Sequence, residues 1–275
     1  MTEAWLPALY ALFLWWFGTG AVLLIDRLPR RTRRGGMVWA TLAALGALYA
    51  VHATAEAREM QAALVAFTAT IVIWGWHELS FLNGMITGPR RTACPPGATG
   101  WLRFRYATET LIHHEIAIAV TGVALLIWLK DAANPVALWT YGILWAMRLS
   151  AKLNLFLGAP NVADEFLTDD LAYLKSYFSP RPINLLFPVS VTVGTVATVW
   201  LALAAGQATT FDAAALGIAA MLMGLGTLEH WFLVLPYREA ALWRWYTTKR
   251  AEKRAERAAA AQDLSPLAAP TMLGR

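Results

Sequence analysis

Seven stretches of about 20 predominantly apolar residues divide this chain: 5–25, 37–55, 61–82, 108–129, 136–158, 183–205 and 213–235. A helix rises about 1.5 Å per residue, so each is long enough to cross about 30 Å of hydrocarbon, the second only just. Within lipid every backbone N–H and C=O must be bonded internally, which leaves helices or closed barrels. The roughly ten-residue alternating segments of a barrel are missing. The pattern therefore predicts an all-α polytopic membrane protein with seven transmembrane helices over residues 1–236 and a basic tail over 237–275. Composition agrees: 15% of residues are charged, against about 25% in a soluble domain. That balance excludes a disordered chain and an ordinary water-soluble enzyme. The gaps carry the expected breakers, among them Gly35-Gly36, Pro95-Pro96, Asn134-Pro135 and Gly206.

Basic residues set the orientation. They cluster after the first span (Arg27, Arg30, Arg31, Arg33, Arg34) and after the third (Arg90, Arg91, Arg103, Arg105). Others run from the end of span five to span six (Arg148, Lys152, Lys175, Arg181) and lie in the tail. Of the 23 Lys and Arg residues, only Arg58 and Lys130 fall on the opposite side. Positive charge stays inside, so the N-terminus is predicted outside and the C-terminus in the cytoplasm, as an odd span count requires. The first block follows Glu3 rather than a basic residue and reads as an anchor, not a cleaved leader. The net charge of +5 needs no nucleic acid, because basic loops hold topology and face anionic headgroups. The single Cys94, in the loop TACPPG, permits no internal disulfide and reads as a plain loop thiol.

Two segments on the basic side are expected to be structured. In 159–182, Thr168 can cap an interfacial helix whose first turn holds Asp169 and Asp170, with Leu171, Leu174 and Phe178 as its apolar stripe. Residues 237–261 continue span seven as a basic helix carrying Trp243 and Trp245, either an interface anchor or a docking surface.

Ionisable residues inside a span are costly and point to function. Span three carries His77 and Glu78, span four Glu109, His113, His114 and Glu115, and span seven Glu229 and His230. Counted from the outer end, His77, His113, His114, Glu115, Glu229 and His230 all lie ~20–26 Å deep, in the cytoplasmic leaflet. Glu109 sits near ~30 Å, at the inner boundary. Glu109 and His113, four apart, share a helix face, whereas His113 and His114 are about 100° apart. Arg148 and Lys152 are placed to pair with Glu78 or Glu115 or to snorkel, and Asn154 adds a polar group. His52, near the outer interface, reads as structural.

Three readings of this level stay open. One is a transition-metal site for iron, manganese or zinc, with His77, Glu109, His113, Glu115, Glu165, Glu229 and His230 as ligands or acid–base groups. That reading makes the chain a membrane metalloenzyme acting on a tetrapyrrole or other lipophilic substrate, although no Glu-x-x-His or His-Glu-x-x-His spacing is present. A second is a bacteriochlorophyll-type tetrapyrrole ligated by one histidine. The third is a polar network, including Glu78, His114, Arg148, Lys152 and Asn154, that holds the helices together. A transporter is weaker, since inverted repeats and broken helices are not visible.

The strings WWFGTG (15–20), WGWHELSFLNGMITGPRR (74–91) with ACP (93–95), ATETLIHHE (107–115), KLNLFLGAPN (152–161) with EFL (165–167), LAYLKSYF (171–178) and EHWFLVLP (229–236) carry a resemblance. They resemble the PuhE-type photosynthetic complex assembly proteins of purple phototrophic bacteria, over roughly residues 5–250. The resemblance implies a multi-pass protein of the inner or intracytoplasmic photosynthetic membrane, encoded with genes for the reaction-centre H subunit. It further implies a role in assembling the reaction centre and light-harvesting complex, or in controlling bacteriochlorophyll supply. Its implied partners are reaction-centre or light-harvesting subunits and bacteriochlorophyll or its precursors. It brings no established reaction.

Overall fold

The computed structural model describes residues 2–26, 30–161, 167 and 169–235. Glu165, Thr168 and the tail 237–275 lie outside the described residues. Among the described residues there are no strands, only an isolated bridge between Ala159 and Pro180. The helices are α1 (Thr2–Asp26), α2 (Arg30–Thr54), α3 (Met60–Leu82), α4 (Gly100–Glu109), α5 (Ile112–Leu129), α6 (Val136–Leu157), α7 (Leu186–Gln207) and α8 (Thr210–Phe232). A 3₁₀ helix, Asp169–Tyr177, lies between α6 and α7.

Six of these helices, α1, α2, α3, α5, α7 and α8, are long and apolar enough to cross a membrane. Length and composition thus give six candidate spans among the described residues. The remaining long helix is α6, which has 22 residues but carries Arg148, Lys152 and Asn154 in its second half. The protein is thus an all-α, multi-pass membrane protein.

Helices α3 and α8 are central. Their apolar windows are 56% and 61% buried, against 11–22% for the other four. α8 packs on α7, α1 and α6, and α3 packs on α2, α6 and α1. The small residues of α8 make close approach possible. Gly217 lies so near α1 that a Cβ there would stand 2.7 Å from the Ala4 carbonyl oxygen. Such small-residue contacts substitute, between membrane helices, for the hydrophobic drive that lipid cannot supply. Phe67, Ile118, Tyr141, Phe211 and Ile218 fill the core beside them. Tyr141 donates its hydroxyl to the Ile118 carbonyl at 2.9 Å, which removes an unbonded group from that apolar site.

Consecutive turns gather alternately at two ends of the bundle. At one end Arg58 pairs with Asp212 at 2.6 Å, and Asn134 donates to the Thr54 carbonyl, joining the turns after α2, α5 and α7. At the other, Arg33 of α2 pairs with Asp170 of the 3₁₀ helix at 3.4 Å. There Asn161 clasps the end of α8, its backbone N–H bonding to the Leu233 carbonyl and its side chain to those of Phe232 and Leu235. Those carbonyls lie at and just past the end of the helix, where no further helical N–H follows to bond them.

Two local expectations are corrected. The block 108–129 is not one continuous helix: Leu111, at φ −136° and ψ 2°, separates α4 from α5. The loop after α3 occupies the gap. Arg90 donates its N–H to the Glu109 carbonyl and His114 donates to Thr87, bonds that a continuous helix would make four residues away within itself. Glu109 and His113 therefore do not share a helical face. Gly88 permits the contact, since a Cβ there would collide with the Glu109 carbonyl and the Thr110 backbone. Gly88→Ala is expected to destabilise the protein by about 2–3 kcal/mol, read from the detergent composition at which it unfolds. An unchanged midpoint would contradict this close approach.

The second correction concerns the stripe. The segment after Thr168 is a 3₁₀ helix with three residues per turn, so Leu171, Leu174 and Tyr177 are buried. Phe178, the third stripe residue expected from an α-helical period, is only half-buried.

Candidate functional site

The polar residues near the basic end fall into two separate groups, because α6 presents different faces to its neighbours. One group lies between α3, α5 and α6. Arg148 of α6 pairs with Glu78 of α3 at 3.4 Å, and Lys152, one turn on, pairs with Glu115 of α5 at 2.5 Å. Two acids and two bases make this quartet neutral overall, the condition under which charges persist in a low dielectric. His77 and His114 lie on the same helices, 2% and 1% exposed. His77 shares a hydrogen bond between Nε2 and the Thr121 hydroxyl at 3.1 Å, while its Nδ1 has no hydrogen-bond partner. His114 stacks obliquely on Phe81, with ring centroids 4.6 Å apart, and neither of its ring nitrogens has a hydrogen-bond partner. Glu78 Oε1 and Trp145 Nε1 are likewise buried and unbonded. A buried donor or acceptor left unbonded costs about 1–3 kcal/mol, so several in one place demand a reason.

The second group joins α6, α7 and α8. His230 meets the Gly226 carbonyl through Nδ1 at 2.7 Å and the Ser150 hydroxyl through Nε2 at 2.8 Å. A carbonyl only accepts, so Nδ1 carries the proton. Ser150 lies 2.9 Å from Ser190, to which the Asn154 amide donates at 3.2 Å. Asn184 donates to Asn154 Oδ1 at 3.0 Å, while its own Oδ1 accepts from the first N–H groups of α7. Every functional group of this chain is engaged, and it serves to fix helix positions and cap α7.

The remaining candidate residues stand apart. His113 is exposed, although its neighbour His114 on α5 is buried. Glu109 lies at the end of α4, held by Arg105 at 2.9 Å and Arg90 at 3.5 Å. Glu229 is half-buried beside His230 on α8. Among the described residues, no three His, Cys, Asp or Glu side chains come together in a way that could hold a metal ion. Among the described residues, the donors proposed for a metal are thus dispersed: His77 and Glu115 in the first group, His230 with its neighbour Glu229 on α8, Glu109 at the end of α4 and His113 exposed. Sequence reasoning missed Ser150, Ser190, Asn184 and Thr121, ordinary hydroxyls and amides in apolar surroundings. The usable signals were Ser150 one turn before Asn154 on α6 and Asn184 just before the start of a span.

Together these features define an all-α integral membrane protein with a buried, charge-balanced polar layer at one end of its helices. The chain belongs to the family described as a protein of unknown function (DUF3623), which matches residues 1–254. It is 40% identical over 252 residues to the "Uncharacterized 30.4 kDa protein in puhA 5'region" of Rhodobacter capsulatus, covering 89% of this chain and 91% of that one. No solved structure matches it.

Proposed function

We propose that this protein is an assembly factor for the photosynthetic reaction centre and light-harvesting complex, or a regulator of bacteriochlorophyll supply, in the inner membrane of a phototrophic bacterium. The observation that carries this reading is the near full-length similarity to a protein of the puhA 5' region. The resemblance of its motifs to PuhE-type assembly proteins points the same way. In this reading α6 is a seventh span. The alternation of turns between two ends supports it, as do the packing of α6 against α3, α5 and α8 and the neutralisation of Arg148 and Lys152 by carboxylates. Seven crossings with the basic end inside place the N-terminus in the periplasm and the C-terminus in the cytoplasm.

Within this scheme the α3–α5–α6 group is the working site and the α6–α7–α8 chain is scaffold. The distinction rests on bonding: the first group alone leaves buried histidine nitrogens uncommitted. Those groups suit the polar edge of a bacteriochlorophyll-type pigment or a polar residue of a nascent reaction-centre or antenna subunit. The test is a deletion strain of a phototrophic host, whose membranes are expected to lose reaction-centre and antenna absorption and to regain it with the wild-type gene.

A further inference from the structure

Away from the polar layer, a cavity of about 390 Å³ opens at the basic end, between the start of α4 and the chain that follows the 3₁₀ helix. Thr99, Gly100, Arg103, Ser176, Ser179 and Arg181 line it. We propose that it binds the phosphate headgroup of an anionic phospholipid.

Charge is the first argument. The Arg103 guanidinium donates to the Phe156 carbonyl at 3.2 Å, the Tyr177 carbonyl at 2.5 Å and the Ser179 hydroxyl at 2.7 Å. All three partners are neutral, so its position is fixed and its charge is not compensated. Arg181, exposed at the rim, pairs with no carboxylate among the described residues. Elsewhere at this end Arg33 pairs with Asp170, and Arg90 and Arg105 with Glu109, while Arg91 is exposed and pairs with no carboxylate among the described residues. Two uncompensated guanidiniums on one cavity attract an anion, and arginine suits phosphate in particular. Hydroxyls of Thr99, Ser176 and Ser179 add polar lining.

The apolar flanks identify the source of that phosphate. Immediately beyond the lining residues the chain exposes Trp101 (76%) and Leu102 on one side and Ile183 and Leu185 (91%) on the other. Large apolar groups left uncovered at the end of the spanning helices belong in the interface and upper acyl region. A free anion makes no use of them, whereas a phospholipid places acyl chains there and its phosphate in the cavity.

The test titrates phosphatidylglycerol into the full-length protein in an uncharged mild detergent and counts bound lipid by native mass spectrometry. One lipid per chain is expected to bind in preference to phosphatidylcholine. Arg181→Gln is expected to weaken it about tenfold, the loss of one charge-assisted bond, without changing the lipid-free melting temperature. Arg105→Gln removes a charge from α4 outside the cavity and is expected to change affinity less than about twofold. Trp101→Ala, which keeps both guanidiniums, is expected to weaken the lipid several-fold. The proposal is overturned if Arg181→Gln and Arg105→Gln act alike, if phosphatidylcholine binds as tightly, or if Trp101→Ala has no effect. Inorganic phosphate that displaces the lipid at equal concentration would also overturn it, showing an anion site without lipid.

Discussion

His114→Phe is expected to leave the protein at least as stable as the wild type, more stable by about 1 kcal/mol, while abolishing its contribution to complex assembly. The ring stacked on Phe81 has no hydrogen-bond partner to lose. Phenylalanine keeps the shape and contact and removes two buried unbonded nitrogens, a change that is neutral or favourable. His230→Phe provides the contrast. Both of its nitrogens are bonded, to Gly226 and Ser150, and the substitution removes both bonds, the one to Ser150 crossing from α8 to α6. A loss of about 2 kcal/mol is expected there. Unfolding in mixed micelles of a mild detergent and dodecyl sulfate measures both. If the two substitutions destabilise equally, His114 is helix glue and its assignment to a working site is wrong.

Lys152→Met is expected to cost about 3 kcal/mol, because it leaves the Glu115 carboxylate, only 16% exposed, without its partner at 2.5 Å. Adding Glu115→Gln should restore stability to within about 1 kcal/mol of wild type, since a neutral pair replaces a neutralised one. The double-mutant cycle isolates the coupling between the two residues. Additive losses would show that Lys152 reaches the headgroups instead of pairing across α5 and α6.

These expectations depend on details that the sequence reveals unevenly. Helix positions were legible because lipid imposes a length and an unbroken apolar composition, and α3 and α8 begin and end within about three residues of the blocks read for them. That the histidines of α3, α5 and α8 would gather toward the basic end was legible from their places near the ends of those blocks. Their division between two interfaces was not. It depends on rotation and on which helices touch α6, and both are long-range properties. The break before α5 was hidden for the same reason: Thr110 and Leu111 carry no breaker, and the bonds that replace the helical ones come from Thr87 and Arg90. Asp169–Tyr177 read as α-helical because Leu171 and Leu174 fit either period, and only the burial of Tyr177 separates them.

The central claim is that this protein supports assembly of photosynthetic complexes, and the most direct measurement is the near-infrared absorption of membranes from a deletion strain of a phototrophic host. Equal membrane protein from four strains would be compared: deleted, and complemented with wild type, His114→Phe or His230→Phe. Reduced reaction-centre and antenna bands are expected in the deletion. Full recovery is expected with wild type, none with His114→Phe despite normal abundance of that variant, and recovery with His230→Phe in proportion to its abundance. Normal bands in the deletion strain would contradict the assembly reading outright.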